Sequence, residues 1–395
     1  MSDKFYGILY GEGFGKNEQT AFAVAHSLIS GGDLLGARVT PETLSAFIKK
    51  KEFDGLIVSP EFSKTVMPLL SKTSPAARAV GTADVIIKGA DGKLYGDNTV
   101  IPAFGSLFSR VMPDPIFRKC VILGAGPDAA AVRHVLSSAI RGTNAEIVNV
   151  TEKGKNNFSN IYMHADADLL VNTLGNFDEL PFSLDALPCL SAVIDLNFSP
   201  LSPKLVREAR ARGITAANGI PMAAARVLYA NELFFGVTAE GDVLPTVEAA
   251  VFSSIMTVTL ISTDESLAKT VAPMLGEAIG KKSYDLGAIF ESLYKKTLSE
   301  IKALSGPYSN EFDRMLRVAV EWMKKRSGCI ICAPAELAEK NKYRDAVAAC
   351  GPVIGIVKPE ESGDELSGFC DILVQIPDAA HAEIAVEAIR AELQI

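Results

Sequence analysis

Histidine is scarce in this chain of 395 residues, with four in all, and tryptophan occurs once. His26, His134, His164 and His381 lie far apart without ligand spacing, so no zinc site and no other metal centre is expected. The six cysteines, Cys120, Cys189, Cys329, Cys332, Cys350 and Cys370, are too dispersed for a disulfide framework and suit reduced thiols. Cys329 and Cys332 have CxxC spacing, but they sit in an apolar, strand-like run where positions i and i+3 face opposite sides, which reads as core packing. A basic excess is also lacking: 39 Lys plus Arg against 47 Asp plus Glu give a net charge of -8, so no cationic field exists to attract nucleic acid. Long hydrophobic runs are missing too. Val247 to Ile261 contains Glu248, Ser253 and Ser254 and falls short of the roughly 18 to 20 apolar residues of a membrane span. The opening Met1-Ser2-Asp3-Lys4-Phe5 lacks the charged-then-apolar build of a secretory leader, and a cytoplasmic protein without a membrane partner is expected.

What is present is ordinary globular material, 48% apolar and 22% charged, long enough at roughly 150 residues per domain for two or three cores. The first third alternates apolar runs with helical patterns: Phe5 to Tyr10, Glu18 to Leu28, Pro41 to Lys50 and Gly55 to Ser59. Lys49-Lys50-Lys51 reads as a solvated helix end. Asp91-Gly92 between Ala83 to Lys88 and Lys93 to Tyr95 predicts a hairpin, and the first domain is expected to occupy residues 1–101. Cys120 to Leu123, Gly124-Ala125-Gly126 and the helical stretch Ala129 to Ile140 then spell strand, glycine turn and helix. Further strands at Ala145 to Val150, Leu169 to Asn172 and Ala192 to Leu196, with helices at Pro203 to Arg212 and Met222 to Phe235, predict a doubly wound parallel sheet over residues 102–240. A boundary is expected at 240–254. Residues 255–395 form a third α/β domain, with helices from Leu267 to Ile279 and Leu286 to Lys325, the latter broken at Ser305-Gly306-Pro307, and strands at Met256 to Ile261, Cys329 to Ala333, Val353 to Val357 and Ile372 to Val374. Trp322, at helical spacing from Val318 and Lys325, reads as half-buried packing.

Gly124-Ala125-Gly126-Pro127-Asp128-Ala129 fits the G-x-G-x-x-G/A pattern in which glycines let backbone N–H groups approach a pyrophosphate at a helix N-terminus. Pro127 removes one donor and Asp128 brings a negative charge close, and both work against phosphate. With five further segments in order, the first 240 residues resemble shikimate dehydrogenases. Lys4 to Ile8 is similar to the family's opening strand, Gly92 to Thr99 to its D/N-G-x-L-x-G-x-N-T-D segment, and Val121 to Gly126 to its V-L-G-A-G-G turn. Asp195 to Pro200 resembles D-L-x-Y-N-P, Gly219 to Met222 resembles G-L-x-M, and Glu232 to Gly236 resembles the closing F-x-x-W-T-G.

That resemblance implies a substrate-type domain followed by a Rossmann domain. It implies NAD or NADP held by Gly124, Ala125, Gly126, Asn149, Thr151, Lys153, Asn172, Gly219 and Met222, and a shikimate- or quinate-like cyclic acid held by Ser59, Asp84, Asn98 and Arg226 in a homodimeric pathway enzyme. The departures are specific. Ser63 stands in the slot of the family's catalytic lysine, and Val100 stands where its catalytic aspartate should follow Asn98-Thr99. Lys64 is the next residue and faces the other way if the backbone there is extended; with a bulge, Lys64 and Asp97 would restore the pair, while the plainer reading is two solvated residues. The family's paired serines are replaced around Lys16 to Gln19, an asparagine becomes Asp84, a glutamine becomes Arg226, and Asn149-Val150-Thr151 lacks the arginine that grips the 2′-phosphate of NADP, so NADP preference is not supported.

Beyond Val258 the chain resembles shikimate kinases at Leu260-Ile261, Thr270-Val271, Leu275, Asp285-Leu286, Cys329 to Ala335, Asn341 and Cys370 to Val374. The loop that should be a glycine-rich phosphate cradle reads Ser262-Thr263-Asp264-Glu265-Ser266-Leu267-Ala268-Lys269, with Ala268 in the lysine slot. Ala333-Pro334-Ala335 replaces a triple glycine, Gly287 replaces an aspartate, and no arginine-rich lid appears between Val357 and Cys370, so kinase activity is not expected. Two functions from different classes remain: an NAD(P)-dependent shikimate- or quinate-type dehydrogenase, and a catalytically inactive pseudoenzyme that senses a metabolite or scaffolds its pathway.

Overall fold

Buried runs of β-branched and aliphatic residues build three sheets. The computed structural model describes residues 4–114, 116–140, 143–177, 179–238, 242–360 and 364–393. The chain divides into two units, Met1–Ser199 with Pro203–Phe252, and Pro200–Ser202 with Ser253–Ile395.

The first unit holds two sheets. Strands β1 (Tyr6–Tyr10), β2 (Leu35–Arg38), β3 (Gly55–Val58), β4 (Lys72–Thr73), β5 (Val85–Lys88) and β6 (Leu94–Asp97) lie in the order β2-β1-β3-β5-β6-β4. β1 pairs parallel with β2 and β3, while β5 runs antiparallel to β3 and β6. The Asp91-Gly92 hairpin forms, but with a wider loop than a two-residue turn: Gly89 N–H donates to Lys93 O at 2.9 Å, and Asp91 caps the Lys93 N–H at 3.0 Å.

The second sheet, β7 (Lys119–Leu123), β8 (Glu146–Val150), β9 (Leu169–Asn172), β10 (Ala192–Asp195) and β11 (Thr215–Ala217), is wholly parallel in the order β11-β10-β9-β7-β8. Cys120, Val121, Ile122, Leu123, Leu169, Leu170 and Val171 are fully buried, as strands covered on both faces must be. The helix Val100–Val111 joins the two sheets and spans the expected boundary at 101. The helix Ile220–Phe235 packs on both Lys16–Ser30 and Val100–Val111, and its Phe234 stacks on Tyr6 with ring centroids 5.0 Å apart.

The second unit has one parallel sheet: β12 (Val258–Ser262), β13 (Ser283–Asp285), β14 (Ile330–Ala333), β15 (Val353–Val357) and β16 (Ile372–Gln375), in the order β13-β14-β12-β15-β16. Residues 239–241 of the expected boundary segment lie outside the described residues. Within the remainder the structure adds an element that the sequence reading did not name: Leu244–Ile255 is a helix, so the apolar stretch from Val247 is a helix and then β12 in series along the chain, and the division between the two units at Phe252 falls within the expected boundary.

Candidate functional site

The first unit carries two cavities relevant to the expected site. One, of about 360 Å³, is lined by Glu18, Phe22, Ser59, Glu61, Asp128 and Arg226 among others. The other, of about 410 Å³, is lined by Asp97, Asn98, Thr99, Tyr229 and neighbouring residues. Ser59 and Arg226, expected as substrate residues, share the first; Asn98 and Asp97 face the second.

Pro60 starts a short helix over Pro60–Ser63, so the segment containing Ser63 and Lys64 is helical and not extended, because the ring fixes φ near the helical value. Ser63 is buried and its hydroxyl donates to Pro60 O at 2.9 Å, whereas Lys64 is exposed. Asp97 is held elsewhere: its Oδ1 accepts from Ser74 Oγ at 2.5 Å and from the Asn98 N–H at 2.7 Å. Among the described residues no ion pair or hydrogen bond joins Lys64 to Asp97. Asn98 also serves the fold, donating to Thr82 Oγ1 at 3.1 Å and accepting from the Ile101 N–H at 3.1 Å.

Two positions at which the chain departs from its resemblance prove to be partners. Asp84 Oδ2 accepts from Arg226 Nη2 at 3.1 Å and from Arg226 Nε at 3.3 Å, with both side chains buried. Asp84 also accepts from the Thr99 N–H and Thr99 Oγ1, each at 2.6 Å, so its lone pairs are well occupied. The Arg226 guanidinium carbon lies 5.4 Å from the Phe22 ring centroid, a cation–π contact that holds the side chain across the cavity wall. Arginine and aspartate in place of two neutral amides exchange hydrogen-bonding capacity for a closed ion pair.

The carboxylates around this pair have little compensation. Burial pushes the Glu18 carboxyl above its usual range, opposed only by a backbone hydrogen bond. Burial raises Asp128 as well; the Arg226 charge lowers it and the Asp84 charge raises it again. Glu61 lies against Gly11, where a Cβ would fall 2.1 Å from Glu61 Oε2, so a glycine is needed to make room for that carboxylate. No sequence pattern places Glu61 and Asp128 together; the signal present was only that three acidic residues follow turns containing glycine or proline.

The glycine turn expected to hold a dinucleotide is tightly braced. Gly124 has φ +112°, where a side chain would be strained and a Cβ would lie 2.5 Å from Thr173 Oγ1. Gly126 begins the helix Pro127–Ala139 with open space where a Cβ would sit, and Ala125 is exposed. Asn149 braces the turn by donating to Gly124 O at 2.6 Å and is itself held by Arg133 Nε at 2.9 Å. Thr151 donates its hydroxyl to Lys153 O at 2.5 Å, and Lys153 is exposed beside it. The Gly124 N–H is already given to Val150 O at 2.8 Å, so Ala125, Gly126 and Lys153 are the groups left to meet phosphate, with Asp128 opposing it.

Other expected cofactor residues shape the floor. Asn172 Nδ2 donates to Asp195 Oδ1 at 3.0 Å, and Asn172 Oδ1 accepts from the Leu174 N–H at 3.0 Å. Gly219 lets backbones meet, since a Cβ there would fall 1.9 Å from Leu196 O, and Met222 packs into the core beneath. Asp195 is pushed up to about 6 by burial, against hydrogen bonds from Asn197 and Asn172 that pull it down, and its Oδ2 has no partner.

No family model matches the chain. A shikimate dehydrogenase (NADP(+)) of Sphingopyxis alaskensis is 30% identical over 223 residues, which is 52% of this chain and 81% of that relative. The chain belongs to the shikimate dehydrogenase family. A quinate/shikimate dehydrogenase (NAD(+)) of Corynebacterium glutamicum, 24% identical over 60% of this chain and 95% of its own length, shares that family likeness. The fold agrees: shikimate 5-dehydrogenase of Thermus thermophilus, solved with NADP(H) and shikimate, superposes with TM-score 0.55 and 21% identity over 63% of this chain and 98% of that one. The likeness to the shikimate dehydrogenase family lies in the first ~60% of the chain.

In the second unit, the loop after β12 is closed upon itself. Asp264 Oδ1 caps the helix Glu265–Ala278 by accepting from the Ser266 N–H at 3.0 Å, and its Oδ2 pairs with Lys358 at 2.8 Å. These contacts, Lys358 first, hold the Asp264 carboxyl down at about 2. Lys269, in the first turns of that helix, is engaged by Glu265 at 2.5 Å. The space beside them is only about 10 Å³, room for about one water. Part of the segment between Val357 and Cys370, where no lid was expected, lies outside the described residues. Among the described residues, no group of His, Cys, Asp or Glu side chains is arranged to hold a metal, and no helix is long and apolar enough to cross a membrane.

Proposed function

We propose that the first unit is a metabolite-binding module of shikimate-dehydrogenase descent, in which a nicotinamide dinucleotide lies on the glycine turn and a small cyclic hydroxylated compound occupies the cavity beside Ser59 and Arg226. Residues 1–101 form its substrate-type domain and 102–240 its Rossmann-type domain. The module senses its ligand, or presents it to pathway partners, without turning it over. One observation carries this reading: Asp97 is tied to Ser74 and Asn98 while Lys64 is exposed and helical, so no Lys/Asp pair stands ready to move the hydroxyl proton that accompanies hydride transfer. Binding survives such a loss because the cleft and the glycine turn are separate from the proton pair.

A second reading, a rewired dehydrogenase using NAD or NADP, is favoured by Asp128, whose raised carboxyl lines the same cavity as Ser59 and adjoins the dinucleotide turn. Titrating the full chain calorimetrically with NAD, NADP, shikimate and quinate, then following nicotinamide reduction with every pair that binds, separates the two. Binding without turnover supports the sensing module; turnover abolished by Asp128→Asn establishes the enzyme.

Residues 255–395 are read as a shikimate-kinase-like domain that has lost phosphoryl transfer. The parallel order β13-β14-β12-β15-β16 and the run from β12 into a capped helix support the likeness, and the Asp264–Lys358 pair in the loop argues against phosphate.

A further inference from the structure

We infer that the cavity bounded by Glu18, Ser59, Glu61 and Asp128 takes a hydroxylated ring compound bearing a protonated amine, in preference to one bearing a carboxylate. This rests on the reading of the first unit as a metabolite-binding module and names the class of its ligand.

The charge balance of the walls comes first. Glu18, Glu61 and Asp128 all line the cavity, and among the described residues none of them forms an ion pair. Arg226 is the only Lys or Arg side chain in that wall, and Asp84 already accepts from two of its nitrogens. A carboxylate entering this space meets three carboxyl groups and one cation whose charge is matched; an ammonium meets three acceptors. The difference between the two is electrostatic and is set by the groups of that wall.

An independent feature points to a ligand in the same place. The Ser59 hydroxyl belongs to a residue only 2% exposed, lines the cavity and has no hydrogen-bond partner. A buried polar atom left unpaired is costly, and a ligand hydroxyl or ammonium group would satisfy it. Phe14, Phe22 and Phe198 supply apolar wall against which a ring can lie. Burial raises Glu18 and Asp128, as expected of carboxylates short of positive partners.

The test uses three probes on one ring: shikimate, its primary carboxamide, and the amine in which an aminomethyl group replaces the carboxylate. Each is titrated calorimetrically into the full chain, with and without NAD. The amine should bind about tenfold tighter than the carboxamide, and the carboxamide tighter than shikimate. Glu18→Gln with Asp128→Asn should remove the amine's advantage and leave the carboxamide within about threefold of its starting affinity. Should that double variant fold poorly, Glu61→Gln, a change on an exposed side chain, should still weaken the amine alone by about threefold. Shikimate binding tightest overturns the inference and leaves the metabolite-binding module standing. So does binding of NAD with none of the three probes. If neither NAD nor any probe binds, the module reading itself falls and takes this inference with it.

Discussion

Arg226 reaches across 142 positions of sequence to place Nη2 3.1 Å from Asp84 Oδ2. The contact joins the helix Ile220–Phe235 to the strand pair β5–β6 through Thr99, which donates twice to the same carboxylate. Removing one partner of such a buried pair leaves the other charge stranded. Arg226→Met should therefore destabilise the first unit by about 3 kcal/mol, while combining it with Asp84→Asn should recover most of that loss. Urea denaturation of the four members of the cycle measures the coupling; additive losses would show that the pair contributes nothing specific.

Lys64 and Asp97 should separate cleanly under substitution. Lys64→Ala removes an exposed side chain without a partner and should change stability by no more than about 0.5 kcal/mol. Asp97→Ala breaks the bonds from Ser74 and Asn98 and should cost about 1–2 kcal/mol. Thermal melts of both variants decide this, and equal large losses would reveal a hidden connection between the two residues.

Asp195 should impose a pH dependence opposite to that of a salt-bridged carboxylate. Its folded value, about 6, is raised above the unfolded value, so the native state holds the proton more tightly. Stability from this group is present in full below the unfolded carboxyl range, declines as pH rises, and levels off above about 6. The shift corresponds to roughly 3 kcal/mol across that window. Asp195→Asn keeps an oxygen to accept from Asn172 and Asn197 but has no proton to lose, so the difference between the two stability profiles should slope between pH of about 4 and 6 and be flat above. A parallel pair of profiles would refute the assignment.

In the second unit, adding ATP with magnesium should leave the melting temperature of the full chain unchanged, since Asp264 and Lys358 already complete each other. Lys358→Ala should likewise give no ATP response, because Asp264 and Glu265 then repel phosphate more strongly. A stabilising shift in either protein would mean that the loop opens to nucleotide.

The sequence made the parallel sheets plain. The unbroken apolar runs of β7, β9, β12 and β15 have one natural reading, and the glycine turn after β7 announces itself by spacing. Short edge strands such as β2 and β4 did not show, because half-exposed strands of two to four residues leave no periodic signal. The helix Leu244–Ile255 was hidden because it is continuous in hydrophobicity with the strand that follows. The candidate site could be read only as a set of departures from a known pattern, which singled out Ser59, Asp84 and Arg226. That Asp84 and Arg226 answer each other, and that Glu61 and Asp128 share a wall, depends on tertiary contacts that no local pattern encodes.

The helix Ile220–Phe235, which lays Phe234 on Tyr6, also sets the order in which the protein can be completed at the ribosome. The strands of the first sheet are all made by Asp97, yet the helix that packs against them emerges only after the whole second sheet has been synthesised. At about 5–20 residues per second this leaves an apolar flank of the first sheet bare for roughly 7–28 s. The first sheet is thus sealed only after the second has been made, and a nascent chain stalled before Ile220 should be the form that chaperones engage.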